Sequence, residues 1–277
     1  MERVVRSAVF VAACVAALVC GCEKKTTRVV GGAVDLGGWT AINYAHPDSQ
    51  PYAKWVVSED RRSVTQTVNA APSVFVSDFE LGTTTVRGTW LVSDHNDDDL
   101  IGFAFAYRDP GHFYLFDWKG QSQDDCDVGM SLKITEAPYD GPSEGNLPSG
   151  KPFAAGALWS TKGAEGQVRP VRHTETEGWA YDKPYTFTLD IEPGAFRIRV
   201  ADGERQIYDE RFEDATYSGG RFGFYNYSQG GVVYRGFEQK TTITETHRYV
   251  PWWLIILIVV ACILLVVIVR VARRKRA

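Results

Sequence analysis

Residues 93–107 read SDHNDDDLIGFAFAY, an acidic loop followed by a stretch with a two-residue apolar period. In that stretch Phe103, Phe105 and Tyr107 alternate with alanines. A period of two predicts a β-strand that buries its aromatic face and leaves its other face in water. Residues 90–92, Trp-Leu-Val, predict another strand that ends where the acidic loop begins.

The same alternation recurs towards the C-terminus. Residues 187–191 and 196–200 each place apolar side chains at every second position, and the aromatic run at 113–116 is typical of a central strand. No window of about 15 residues shows the 3.6-residue apolar period of an amphipathic helix. Short strands separated by glycine and proline predict an all-β sandwich or jelly roll.

The acidic loop is a candidate metal site. Its four carboxylates, Asp94, Asp97, Asp98 and Asp99, fall within six consecutive residues and repel one another unless a cation bridges them. Calcium takes six to eight oxygen ligands, many of them carboxylates, and Ca²⁺ is therefore the predicted cofactor. The loop lacks the glycine and the terminal glutamate of an EF-hand. A solvated acidic turn without an ion is the alternative interpretation.

Several short motifs, in order along the chain, resemble the C-terminal domain of thrombospondins. The first is DDDLIGFAFAY at residues 97–107. The others are HFY at 112–114, WK at 118–119, ALWST at 157–161, GQVR at 166–169, GW at 178–179, SGGRFGF at 218–224 and YSQ at 227–229. The resemblance runs from about residue 55 to residue 237.

The resemblance implies a concanavalin-like jelly-roll β-sandwich that binds calcium through carboxylate-rich loops. By matching position it assigns calcium to Asp97, Asp98 and Asp99. Asp94 is added on local chemistry alone. A recognition or adhesion domain follows as the expected function, with a cell-surface protein or a glycan as its ligand.

Charge excludes one class of partner. Setting aside two basic residues and one acidic residue before position 23, and five basic residues after position 250, leaves 23 basic and 33 acidic residues between them. The resulting net charge of −10 repels phosphate backbones, so nucleic acid is not an expected partner.

The N-terminal end has the pattern of an export signal. Residues 1–22 combine Arg3 and Arg6 with a short apolar run, and Val-Cys-Gly-Cys at 19–22 resembles a bacterial lipobox. We expect lipidation at Cys22, with cleavage by the ordinary signal peptidase as the alternative. Cys126 is the one cysteine between residues 23 and 250, so no disulfide is expected inside the exported domain.

The C-terminal end predicts a membrane anchor. Residues 252–269 contain no charge and no proline, and residues 270–277 carry five basic side chains. The span is long enough to cross a bilayer, and the positive-inside rule keeps the tail in the cytoplasm. We therefore expect a linker at 23–35, the β-sandwich at 36–239, a juxtamembrane linker at 240–251, a transmembrane helix at 252–269 and a single-pass topology with the domain outside.

Catalysis is not expected. The candidate carboxylate pairs are Glu175 with Glu177 and Asp209 with Glu210, and neither has the context of a glycosidase pair. The five histidines show no metal-ligand spacing. A carbohydrate-binding or carbohydrate-cleaving protein on the same fold remains the alternative. Three aromatic residues near polar loops could stack on sugars or fill the core: Trp159, Trp179 and Tyr181.

Overall fold

The computed structural model describes residues 23–45, 50–154, 156–249 and 251–274. Val30–Thr241 form one compact unit, and the described residues on either side of it belong to a second unit. The predicted signal segment 1–22, including Cys22, lies outside the described residues, as do residues 275–277 of the predicted tail.

Most of the described chain forms β-strands, which we number in chain order. The strands are β1 (Glu23–Ala33), β2 (Thr40–Asn43), β3 (Trp55–Val57), β4 (Ser63–Gln66), β5 (Ser73–Glu80), β6 (Thr84–Val92), β7 (Leu100–Asp109), β8 (His112–Lys119), β9 (Gly129–Glu136), β10 (Gly145–Asn146), β11 (Val168–Thr174), β12 (Tyr185–Glu192), β13 (Ala195–Asp202), β14 (Arg205–Glu213), β15 (Arg221–Tyr227) and β16 (Val232–Arg248).

The strands form two eight-stranded sheets. The first has the order β14-β13-β12-β6-β16-β4-β3, with β1 also paired to β16. The second has the order β10-β2-β5-β15-β7-β8-β9-β11. β10 pairs with β2 in parallel, and all the other strand pairs among β2 to β16 are antiparallel. Two such sheets stacked over one core confirm the predicted all-β, concanavalin-like sandwich.

The main core lies between the two sheets. Phe187 and Leu189 on β12 and Ile198 on β13 are completely buried, as their alternation predicted. From the second sheet, Phe103 on β7 meets Phe187 with ring centroids 5.0 Å apart. Burial of these large side chains from both sheets is the main source of stability in such a sandwich.

A second apolar cluster covers the outer face of the second sheet. On β8, Phe116 faces the main core, whereas Phe113 and Leu115 belong to the outer cluster. Leu158 and other residues from the long segment 137–168 complete that cluster. The prediction that the strand of Phe103 and Phe105 leaves one face in water is therefore wrong for β7, because this segment covers that face.

A bulge in β7 changes the direction of one predicted core residue. Ala106 has a φ of 48°, and the pairing of β7 with β8 shifts register between Phe105 and Asp109. An extra residue in one strand sends the side chains after it to the other face. Phe105 stays in the main core, but Tyr107 joins the outer cluster. The prediction that Tyr107 shares a face with Phe103 and Phe105 is therefore wrong.

At both ends of the chain, strands occupy residues that the sequence predicted to be linkers, at 23–35 and 240–251. β1 covers most of the first, and β16 extends through residue 248 into the second. In the second unit, Arg28 forms an ion pair with Glu245 at 3.2 Å. Helix α1 (Trp252–Arg274) continues five residues beyond the predicted end at 269. Among the described residues it is the one helix long and apolar enough to cross a membrane, and it fits the predicted anchor.

Candidate metal centre

The acidic loop between β6 and β7 is fastened to the turn between β15 and β16. Ser93 N donates to the carbonyl of Gly231 at 2.9 Å. The fully buried Gln229 accepts a bond from Asp99 N at 3.1 Å and donates to the carbonyl of Asp94 at 3.3 Å. Gly231 has a φ of 64°, and a Cβ there would lie 2.7 Å from Asp94 N. A glycine is therefore required for this close approach.

Three of the four predicted calcium ligands lie together. Asp97, Asp98 and Asp99 each offer one carboxylate oxygen, and these atoms all lie within 4.8 Å of one another. Asp94 lies outside this group, and its Oδ1 accepts a bond from Asn96 N at 3.1 Å. The spacing in the sequence thus identified a carboxylate cluster, while Asp94 is engaged in its own turn.

A buried lysine that the sequence analysis did not assign to the site contacts two of these carboxylates. Lys119, on β8, is 1% exposed, and its Nζ lies 3.0 Å from Asp98 Oδ1 and also contacts Asp99 Oδ1. The same ammonium lies 4.8 Å from the ring centroid of Trp159. The available signal was the charge of Asp117 and Lys119 at alternate positions of an otherwise aromatic central strand.

The electrostatics of the cluster leave an excess of negative charge. Among the described residues, three carboxylates face one ammonium, so two negative charges remain without an ion-pair partner. The contact of Asp97 with Asn69, whose Nδ2 donates to Oδ2 at 2.6 Å, is neutral and does not offset them. A divalent cation would balance this excess, and a set of oxygen donors suits a hard cation.

The backbone carbonyls of the same three residues are already engaged. Tyr181 donates its hydroxyl to Asp97 O at 3.0 Å, Gly120 N donates to Asp98 O at 2.9 Å, and Trp179 Nε1 donates to Asp99 O at 2.9 Å. These bonds fix the course of the loop. An ion bound here would therefore depend on carboxylate oxygens and water for most of its ligands.

Burial and pairing act against each other on the two charged partners. Burial raises the pKa of Asp99 to about 6, although the bond from Lys119 opposes that rise. Burial alone would lower the pKa of Lys119, but the bonds to Asp99 and Asp98 outweigh it and raise the pKa.

The carboxylates weighed as catalytic pairs are surface groups. Glu175 is exposed. Each of the other three forms an ion pair with an arginine: Glu177 with Arg205 at 2.7 Å, Asp209 with Arg197 at 2.5 Å and Glu210 with Arg172 at 2.9 Å. Three of the four carboxylates are thus engaged in ion pairs at the surface.

The aromatic residues considered for sugar stacking are largely engaged in the fold. Trp179 is buried, and Trp159 is half-buried beside Tyr227 at a centroid distance of 5.3 Å. Tyr181 is half-buried and stacks on His95 at 4.5 Å. The interpretation of these residues as structural side chains is therefore favoured.

Comparison with known proteins agrees with the order of motifs. The thrombospondin C-terminal region family matches residues 50–242. Thrombospondin-1 of Xenopus laevis is 31% identical over 199 residues, which cover 67% of this chain and 16% of that protein. Human cartilage oligomeric matrix protein is 29% identical over 219 residues, which cover 73% of this chain and 28% of that protein. The chain thus spans less than a third of the length of these relatives.

Among solved structures, the carbohydrate binding module CBM66 from Bacillus subtilis aligns with a TM-score of 0.47 and 15% identity, over 74% of this chain and 96% of that one. Peanut lectin aligns with a TM-score of 0.44 and 10% identity, over 81% and 100%. The family match covers more than half of the chain and includes both the acidic loop and Lys119. The chain therefore belongs to the thrombospondin C-terminal region family.

Proposed function

We propose that this protein is a calcium-stabilised recognition domain held on the outer surface of a membrane, with a cell-surface protein or a glycan as its ligand. The observation that carries the proposal is the group Asp97, Asp98 and Asp99, which keeps two excess negative charges after pairing with Lys119. Family membership supports the recognition role.

Calcium is the metal that suits the donors. The group contains carboxylates and neither histidine nor cysteine, so zinc and copper are disfavoured. Carboxylates can bind calcium through one or both oxygens, and calcium accepts six to eight ligands, whereas magnesium requires a near-ideal octahedron. Asp97, Asp98 and Asp99 would hold the ion, and Asp94 would join them if Asn96 released it.

The anchor would combine two features of the ends. Helix α1 would cross the bilayer with Arg270, Arg273 and Arg274 on the cytoplasmic side. β1 begins at Glu23, directly after Cys22 in the sequence, and pairs with β16, the strand that precedes α1. Acylation of Cys22 would add a lipid to the same protein, although one acyl chain binds membranes far more weakly than a spanning helix.

The calcium proposal is tested by thermal unfolding of the full chain in detergent micelles, with calcium, with magnesium and with a chelator. A ligand at 100 times its dissociation constant stabilises the folded state by about 2.7 kcal/mol. For a domain of this size that corresponds to a rise in Tm of about 5–10 °C. We expect this rise with calcium, and a much smaller one with magnesium.

Two matched variants localise the ion. Asp98→Ala removes one carboxylate of the cluster, and Glu175→Ala removes an exposed carboxylate elsewhere. We expect calorimetric titration to show weaker calcium binding for Asp98→Ala and unchanged binding for Glu175→Ala. Equal affinities would place the ion at another site. Identical melting curves for a verified calcium-free preparation, with and without added calcium, would contradict calcium binding altogether.

The ligand class is tested separately. The full chain is screened against glycans and cell-surface proteins, once with calcium and once with chelator. Binding that requires calcium supports both parts of the proposal, whereas binding in chelator supports recognition without calcium.

A further inference from the structure

A cavity of about 250 Å³ opens at the end of the sandwich opposite the acidic loop. β6 connects the two ends: Thr83, which lines the cavity, precedes its first residue, and the acidic loop follows its last residue, Val92. The nine residues of β6 separate the two sites by roughly 30 Å. The cavity is therefore distinct from the candidate metal centre.

Four aromatic side chains contribute to the walls of the cavity, beside several glycines and alanines. Phe105, Tyr114, Phe196 and Tyr217 line it, with Phe105 and Phe196 in edge-to-face contact at 4.8 Å and Tyr114 and Tyr217 at 5.4 Å. A cavity of about 150 Å³ can hold benzene, and drug-sized pockets begin near 300 Å³. The volume thus suits a compact ligand slightly larger than a single ring.

One charged group of the cavity, Asp214, is attracted by Arg169 but forms no ion pair with it. Its Oδ1 accepts bonds from the Tyr114 hydroxyl at 2.5 Å and from Thr216 N at 2.8 Å. Within the part of the chain that the structure describes, no basic side chain forms an ion pair with Asp214, and no lysine, arginine or histidine lines the cavity. The other acidic lining residue, Glu192, already pairs with Arg211 at 3.1 Å.

Asp214 is charged at neutral pH. Burial by itself would raise the pKa of its carboxyl, but the hydrogen bonds from Tyr114 and Thr216 hold the pKa below the ordinary value. A half-buried carboxylate without a direct ion pair, beside aromatic rings, attracts a cation, because ring faces also carry negative potential. The face of Tyr217 already holds the guanidinium of Arg108, 4.9 Å from its ring centroid.

We propose that this cavity binds a small organic cation, an ammonium group on an aromatic or aliphatic body of about the size of phenethylammonium. The body lies in the cavity against the edges of these rings, and the ammonium group pairs with Asp214. The inference goes beyond the proposed recognition function and does not depend on calcium.

Three probes of similar shape test the charge requirement: phenethylammonium, the neutral 2-phenylethanol and the anion phenylacetate. Binding to the full chain in detergent micelles is measured with a chelator present, by saturation-transfer NMR and calorimetry. We expect phenethylammonium to bind about tenfold or more tightly than 2-phenylethanol, since a hydrogen bond to a charged group adds that much, and phenylacetate not to bind.

Three variants locate the site. Asp214→Asn keeps the shape and should reduce affinity for phenethylammonium about tenfold while leaving 2-phenylethanol unchanged. Ala195→Leu adds bulk at a buried lining residue and should abolish binding of both probes. Asp140→Asn removes an exposed carboxylate that does not line the cavity and should change nothing.

Several results would overturn the proposal. These are equal binding of all three probes, unchanged binding by Asp214→Asn, or no binding of phenethylammonium at millimolar concentration. If Ala195→Leu does not fold, the comparison of Asp214→Asn with Asp140→Asn still decides.

Discussion

A buried ion pair beneath the segment 137–168 gives the most quantitative prediction. Lys133 and Asp117 are 0% and 1% exposed, and Lys133 Nζ lies 2.8 Å from Asp117 Oδ2. The same ammonium donates to the carbonyl of Leu158 at 3.0 Å. Lys133 therefore links the outer face of the second sheet to the segment that covers it.

Replacing one partner should be far more damaging than replacing both. Lys133→Met leaves Asp117 buried without its cation, which typically lowers the free energy of unfolding by about 3–5 kcal/mol. In the double variant Lys133→Met/Asp117→Leu neither charge of this pair remains. The residual loss should be about 1–3 kcal/mol, because the carbonyl of Leu158 still lacks its donor.

Thermal unfolding of the full chain in detergent micelles measures these differences. A loss of 3–5 kcal/mol corresponds to a fall in Tm of about 6–20 °C for a domain of this size. Arg197→Met, which breaks an exposed ion pair with Asp209, is the control and should change Tm much less than Lys133→Met does. If the double variant lost as much as the two single variants added together, the pair would not be coupled and the reasoning would be refuted.

Three further predictions concern other parts of the chain. Burial raises the pKa of the Cys126 thiol to about 12, so iodoacetamide at pH 8 should modify Cys126 only after unfolding, as followed by mass spectrometry. That pKa exceeds the value of about 8.5 for an unfolded thiol. The contribution of the neutral thiol to the free energy of unfolding is therefore complete below about pH 8.5 and should be lost progressively at higher pH. A Cys126→Ala variant that lacks this loss of stability at alkaline pH would confirm that the thiol causes it. A tag placed after Ala277 should resist protease in intact cells and become accessible on lysis, and exposure in intact cells would contradict the proposed topology. Cys22→Ser should abolish metabolic labelling by a radioactive fatty acid, whereas unchanged labelling would place the lipid elsewhere.

The sandwich could be predicted from sequence because alternation is a local property. Phe187 and Leu189 both point into the core because alternate side chains of a strand face the same side of the sheet, and this alternation is visible as a sequence period of two. Burial of the other sheet face could not be predicted in this way, since it depends on where the segment 137–168 lies. The bulge at Ala106 was also hidden, because alanine at a φ of 48° carries no sequence signal of the kind that glycine supplies.

The candidate metal centre was partly predictable for a similar reason. Asp97, Asp98 and Asp99 are consecutive, so their proximity follows from the chain itself. Lys119 and Gln229 are 20 and 130 residues away from Asp99 in the sequence. The pairing of β7 with β8 brings Lys119 to the cluster, and the turn between β15 and β16 brings Gln229 there. Sequence spacing identifies candidate ligands within one loop, whereas the counter-ion Lys119 can be identified only from the tertiary structure.

The position of β16 has a mechanical consequence. β16 lies between β6 and β4 in the first sheet, and the same strand continues towards α1. Tension applied at its C-terminal end acts along the strand, at right angles to the ladder hydrogen bonds on both sides. Those bonds are then loaded together in shear, whereas a strand pulled sideways from an edge would lose them one after another. With the proposed membrane anchor, a domain attached through this interior strand would bear force between a ligand and the membrane without being peeled apart.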